Sequence, residues 1–276
     1  MKNVIKIASL MLVLLGVFGG IYYFGGRNLK DLEPPREDSV VQEQEESEEE
    51  KIPENPISET RLSRFDEDFA KNEDLVGWIN IPNTLIDYPV VQAEDNDFYL
   101  HRDFNKEYLF DGIPFMDFRN ILKPDLYDNT LVYGHNMGLK GNMFTELMRY
   151  QNIDFYKKAP IINFDTLYQE NQWKVIAVFD TNTEKQFGPV FEYYNFVHAD
   201  SKEEFDWYIE EINRRSFYFT DVDVEYGDKL LTLQTCVNDK YETKLVVVAR
   251  RLRPGEDPVV NIENAKLNES RLMPRQ

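Results

Sequence analysis

The pattern of hydrophobic and polar positions along this chain changes twice, which divides it into three stretches. Residues 7–24 are apolar almost without interruption, with Lys2 and Lys6 ahead of them and Arg27 and Lys30 behind. A helix needs roughly 20 apolar residues to cross a bilayer core, and this run lies near the lower limit. Tyr22 and Tyr23 stand where interfacial aromatics belong, and the leading lysines favour a cytoplasmic N-terminus. Residues 1–30 are therefore expected to be a single-pass membrane anchor that leaves the rest of the chain outside the cell. The competing reading is a cleaved signal peptide, although its apolar core is usually shorter and no Ala-x-Ala site follows here. Residues 31–60 have no hydrophobic period and are rich in Glu, Pro, Gln and Ser. Such a composition buries too little apolar surface to fold, and its self-repulsion extends it into a disordered acidic linker.

Residues 61–276 read as one folded domain. Phe65, Phe69 and Leu75 among charged residues predict a short amphipathic helix. Short apolar runs predict strands over 78–82 and 86–91 around the Asn83-Thr84 turn, then over 112–118, 130–134, 161–164, 173–181, 229–235 and 244–252. Helical spacing is found over 143–150 and 202–214. Many short strands with a few helices in their connections predict a mainly β fold, a closed or nearly closed barrel with helical insertions.

Composition narrows the function. The 276 residues carry a formal charge of −19, and no cluster of Lys and Arg is visible, which argues against nucleic acid as partner. One cysteine excludes an intrachain disulfide and a Cys-rich metal site. Three histidines (His101, His135, His198) leave little scope for zinc, and Asp221 and Asp223 lack calcium-loop spacing. No metal and no cofactor is expected.

The candidate chemistry lies at two strand ends. Cys236 closes the apolar run Leu230-Leu231-Thr232-Leu233-Gln234-Thr235, where a sheet would hold a thiol rigidly yet near the surface. A buried structural cysteine is the plainer reading of that residue alone. His135 ends a second apolar run and is followed by a flexible, Gly-containing segment. Cys with His is the usual pairing for thiol nucleophilic catalysis, the thiolate attacking and the imidazole moving the proton. His101 and His198 lie in polar segments and read as surface residues.

The flanking segments are more specific. Ile81-Pro82-Asn83-Thr84-Leu85-Ile86-Asp87-Tyr88-Pro89-Val90, Asn96-Asp97-Phe98-Tyr99-Leu100, Gly112-Ile113-Pro114-Phe115-Met116-Asp117-Phe118-Arg119-Asn120, Tyr133-Gly134-His135-Asn136-Met137 and Thr232-Leu233-Gln234-Thr235-Cys236 occur in this order. In these segments the chain resembles the sortases, and among them class B. The resemblance implies a closed β-barrel of about eight strands with an N-terminal helical extension. It implies transpeptidation at a Gram-positive cell surface, with Cys236 as nucleophile and His135 as acid and base. The implied partners are surface proteins or pilins with a C-terminal sorting signal, and an amine acceptor that is a cell-wall precursor or a pilin lysine.

Two departures from the family pattern stand out. Where sortases carry an arginine at the head of the strand after the cysteine, this chain has Lys244, which keeps the charge and loses the planar fork of donors. Lys244 reads either as the substitute electrostatic group or as a strand-end surface lysine. Gln234 stands where class B members commonly have Ser. The resemblance also marks Asn96, Leu100, Thr181 and Thr183 as substrate-groove positions, with Asn96 equally readable as a helix cap. Besides transpeptidation, the sequence leaves open a Cys-His hydrolase and a catalytically weakened module that binds sorting signals or pilins.

Overall fold

The computed structural model describes residues 57–123, 125–237 and 243–274. The expected anchor, residues 1–30, and most of the expected linker lie outside the described residues. Among the described residues no helix is long and apolar enough to cross a membrane. Contacts with the folded domain begin by Ser58, whose backbone N–H donates to the Tyr168 carbonyl at 3.0 Å.

Behind a 3-10 turn at Ser63–Phe65, helix α1 (Asp66–Lys71) carries three acids in its first turn and Lys71 in its last, as the helix dipole favours. The helix ends at Asn72, which is extended, so Leu75 opens strand β1 (Leu75–Asn80) and is not part of the expected helix. β2 (Asp87–Val91) follows a turn in which Asn83 adopts a left-handed φ of 65°. The strand expected over 112–118 shrinks to β3 (Phe115–Met116). Gly112 is left-handed there, with a φ of 58°, and a Cβ on it would lie 2.4 Å from the Leu100 carbonyl oxygen, so the chain crosses another segment before pairing begins. β4 (Asn129–Tyr133) comes next. The helical spacing over 143–150 becomes a 3-10 turn at Thr145–Gln151 followed by α2 (Ile153–Tyr156). Then come β5 (Ile161–Thr166), β6 (Gln172–Thr181), α3 (Lys202–Arg215), β7 (Tyr218–Phe219), β8 (Leu230–Cys236), β9 (Lys244–Arg251) and β10 (Lys266–Leu267).

Eight strands close into a barrel in the order β1-β2-β3-β4-β8-β9-β6-β5, with β5 returning to β1, and β7 and β10 form a separate two-stranded ladder. Most pairs are antiparallel; β2–β3 and β4–β8 are parallel. Alternation along the strands divides the core. Leu231 and Leu233 of β8 share one cluster with Leu245, Val247 and Ala249 of β9. Leu230, Val246 and Val248 instead join Phe205, Tyr208 and Ile212 of α3 in a second cluster. Strands buried on both faces read as continuous apolar runs, which is the texture seen around residues 230–236 and 244–251. By the same alternation, Gln234, Cys236 and Lys244 fall on the α3-facing side of the sheet.

Candidate active site

The β8–β9 register sets Cys236 directly opposite Lys244. Directly opposed residues in an antiparallel pair project to the same face with Cβ atoms about 5 Å apart. Lys244 Nζ accordingly donates to Cys236 Sγ at 3.1 Å. The ladder continues one step further, with the Val237 N–H donating to the Thr243 carbonyl at 2.8 Å, so backbone holds the pair on both sides.

The parallel pairing of β4 with β8 brings His135 to the same edge. Tyr133, the last residue of β4, is in register with Gln234 and both chains run the same way, so two residues further on they reach His135, just past β4, and Cys236, the last residue of β8. Asn136 Nδ2 donates to the Cys236 carbonyl at 2.8 Å and the Gly134 N–H to that of Gln234 at 3.1 Å, tying the two departing strands together. The His135 ring is oriented by the Leu100 carbonyl, 2.8 Å from Nε2. A carbonyl only accepts, so Nε2 carries the proton and Nδ1 is left as the basic nitrogen. His101 stacks on His135 with centroids 5.6 Å apart, and Phe110 stacks on His101 with centroids 5.7 Å apart. Lys140 and Asn142, from the segment after His135, both bind the Asp111 carboxylate. Those bonds, Lys140 first, hold Asp111 below the usual carboxylate range.

A cavity of about 310 Å³ joins these groups, lined by Cys236, His135 and Lys244 with Asn96, Leu100, Gln234 and Thr183 among the other walls. One wall is braced by Asp117, which is fully buried. Its carboxylate accepts from Arg119 Nε at 2.8 Å, Tyr133 Oη at 2.8 Å and Asn96 Nδ2 at 3.0 Å. Burial pushes this carboxyl up, but the Arg119 guanidinium and the other donors outweigh it and hold it below its ordinary range. Arg119 also donates to the Tyr194 carbonyl at 2.7 Å, linking the brace to another lining residue.

Residues 79–252 match the family model of the sortase domain. The chain is 37% identical to sortase B of Staphylococcus aureus over 186 residues, 66% of this chain and 72% of that protein. It is 34% identical to sortase B of Listeria monocytogenes over 182 residues, 66% of this chain and 70% of that one. The solved Staphylococcus aureus sortase B–substrate complex superposes with a TM-score of 0.64 at 34% identity, covering 71% of this chain and 87% of that one. The chain belongs to the sortase family, class B. It is a cysteine transpeptidase on a closed eight-stranded barrel.

Within this sortase, not every residue singled out from sequence reaches the cavity. Thr181 does not line it; only 3% of the residue is exposed. Its hydroxyl bonds to the Asn182 carbonyl and accepts from the Phe191 N–H, so the loop after β6 engages it. Asn182 and Thr183 line the cavity instead. Asn96 caps no helix: Asp95 accepts from the N–H groups of Asp97 and Phe98, while Asn96 binds Asp117 and the Phe118 N–H. Leu100 contributes a carbonyl to His135 besides its place in the wall. His101, read from sequence as a surface residue, is exposed on one side yet stacked on His135. His198 lies on the surface and bonds Asp128 at 2.6 Å. Arg250, on the same strand as Lys244, is fully buried and bound to Glu256, which removes it as a replacement for the family arginine. Tyr193, Tyr194 and Asn182 are wall residues that sequence reasoning missed; the aromatic pair after β6 was the available signal.

Proposed function

We propose that this sortase cleaves a C-terminal sorting signal through a thioacyl intermediate on Cys236 and transfers the acyl group to an amine, from a cell-wall precursor or a pilin lysine. The observation that carries the reading is the convergence of Cys236, His135 and Lys244 on one cavity, with Lys244 Nζ 3.1 Å from Sγ. Cys236 attacks the carbonyl carbon of the signal's Thr residue. Negative charge passes from sulfur to the carbonyl oxygen, and the Lys244 ammonium lies beside both, a preorganised counter-charge of the kind that lowers acyl-transfer barriers. His135 gives a proton to the departing amine and later takes one from the incoming amine, through the Nδ1 that its bond to Leu100 leaves available. Lysine in place of arginine keeps the charge and loses the two-pronged fit to an oxygen pair. The apolar run of residues 7–24 supports a tether that places this chemistry at the outer membrane surface.

The test is incubation of the full-length protein in detergent with sorting-signal peptides and triglycine, followed by mass spectrometry. The expected result is a transfer product and a Cys236 adduct, with transfer reduced by about 10³-fold or more in Cys236→Ala. Full transfer by Cys236→Ala defeats the proposal. Hydrolysis alone makes the protein a hydrolase, and binding without an adduct makes it a weakened binding module.

A further inference from the structure

We infer that Lys244 is itself an acyl acceptor: when no outside amine is present, its ε-amine takes the acyl group from Cys236 and keeps it as an amide. The inference rests on the thioacyl reading above. It starts from a plain juxtaposition. An enzyme whose second half-reaction is attack of an amine on a Cys236 thioester holds a primary amine 3.1 Å from that sulfur. The acyl carbon is one bond from Sγ, so an amine at this distance can reach the roughly 3–3.5 Å of a near-attack arrangement by a side-chain rotation. The backbones that carry the pair stay together, because the β8–β9 ladder runs through them and closes beyond them at Val237 and Thr243. A guanidinium in the same place stays protonated and takes no acyl group.

The balance of the step is simple. The C–N bond to Nζ forms and the C–S bond to Sγ breaks. The amine's proton passes to the cavity's base, His135, and on to the departing sulfur, which is left as a thiol. No oxidant or other reactant is needed. The obstacle is that an ammonium has no lone pair. The step therefore draws on the deprotonated amine alone. Aligned intramolecular attack is worth an effective concentration of about 10⁵ M or more, which favours the step over attack by a dilute outside amine. The product is self-limiting. Acylated Lys244 is neutral, so the free thiol of Cys236 has lost its cation, and a sortase without acceptor shuts itself down.

Acetyl-threonine benzyl thioester, which exchanges onto thiols without needing a recognition sequence, tests this on the full-length protein in detergent. Adducts are weighed before and after hydroxylamine, which cleaves thioesters and spares amides, and are mapped by peptide fragmentation. The expected course, followed at several pH values, is a labile adduct on Cys236 that converts over time to a resistant one on Lys244. Triglycine present from the start captures the labile adduct and suppresses the resistant one. Lys244→Arg is expected to carry only labile adduct, and Cys236→Ala no adduct on Lys244. An adduct that stays wholly labile at every pH overturns the inference and leaves the thioacyl reading intact. So does a Lys244 amide that forms equally in Cys236→Ala. Absence of any labile adduct on Cys236 overturns both.

Discussion

The two sides of the active cavity are built on different principles. Cys236 and Lys244 are held by backbone: adjacent strands, fixed register, and ladder hydrogen bonds on either side. His135 is held mostly by contacts outside the sheet, through the Leu100 carbonyl, the His101 stack and the Asp111 clamp on Lys140 and Asn142. Two glycines with left-handed φ, Gly138 and Gly141, lie in the segment that this clamp secures. Backbone placement depends little on individual side chains, whereas placement by side chains fails one residue at a time. Changes on the His135 side and its braced wall should therefore cut transfer while leaving the Cys236 thiol as accessible as before.

The largest effect is expected at Asp117. Asp117→Asn leaves the half-buried Arg119 without its counter-charge and weakens its hold on Tyr133 and Asn96, which should cost about 3 kcal/mol. Thermal unfolding should then occur about 6–12 °C lower. The folded-state shift of Asp117 is downward, so its contribution to stability is present above the ordinary carboxylate value near pH 3.9 and is lost as pH falls through the depressed one. The variant should accordingly lose part of the wild type's destabilisation on acidification below about pH 4, measured by denaturant melts across pH. Unchanged stability would mean that the buried carboxylate does not brace the wall.

Gly134→Ala comes next. A Cβ there lies 2.6 Å from Cγ of Phe144, whose ring is fully buried. Overpacking of this kind costs about 2 kcal/mol and should displace the Tyr133–His135 turn. Transfer to triglycine should drop sharply while alkylation of Cys236 by a small thiol reagent keeps its rate. Equal loss of both would show that the two sides are not mechanically separate.

The smallest effect is expected at His101. An aromatic stack is worth about 1 kcal/mol, so His101→Ala should lower kcat about fivefold with little change in KM, and His101→Phe should restore most of it. If His101→Phe behaves like His101→Ala, the imidazole rather than the stacking surface is what His135 uses.

Much of this was legible in the chain because strand texture is local. The apolar runs around residues 130–134, 173–181, 229–235 and 244–252 became β4, β6, β8 and β9 with ends shifted by a residue or so. The failures also have local causes. Leu75 matched a helical period but lies past the point where Asn72 leaves the helix. The run over 112–118 has strand composition, yet left-handed Gly112 and a proline without an N–H at 114 confine pairing to two residues. Thr181 belongs to the correct strand, but the loop that follows engages its hydroxyl.

The sequence by itself determined that the domain is a β-barrel, that a thiol and an imidazole end two of its strands, and that a lysine heads the next one. These follow from alternation, run length and motif order, which neighbouring residues specify. Only the tertiary structure decided that β4 and β8 lie side by side in parallel, which brings His135 and Cys236 to one edge from positions 101 apart in the chain. It also decided the register that sets Lys244 against Sγ, because a one-residue slip would turn that side chain to the opposite face. Pairing across a sheet joins residues that share no local pattern, and for that reason the lysine's contact with the sulfur was not written in the run of residues around it.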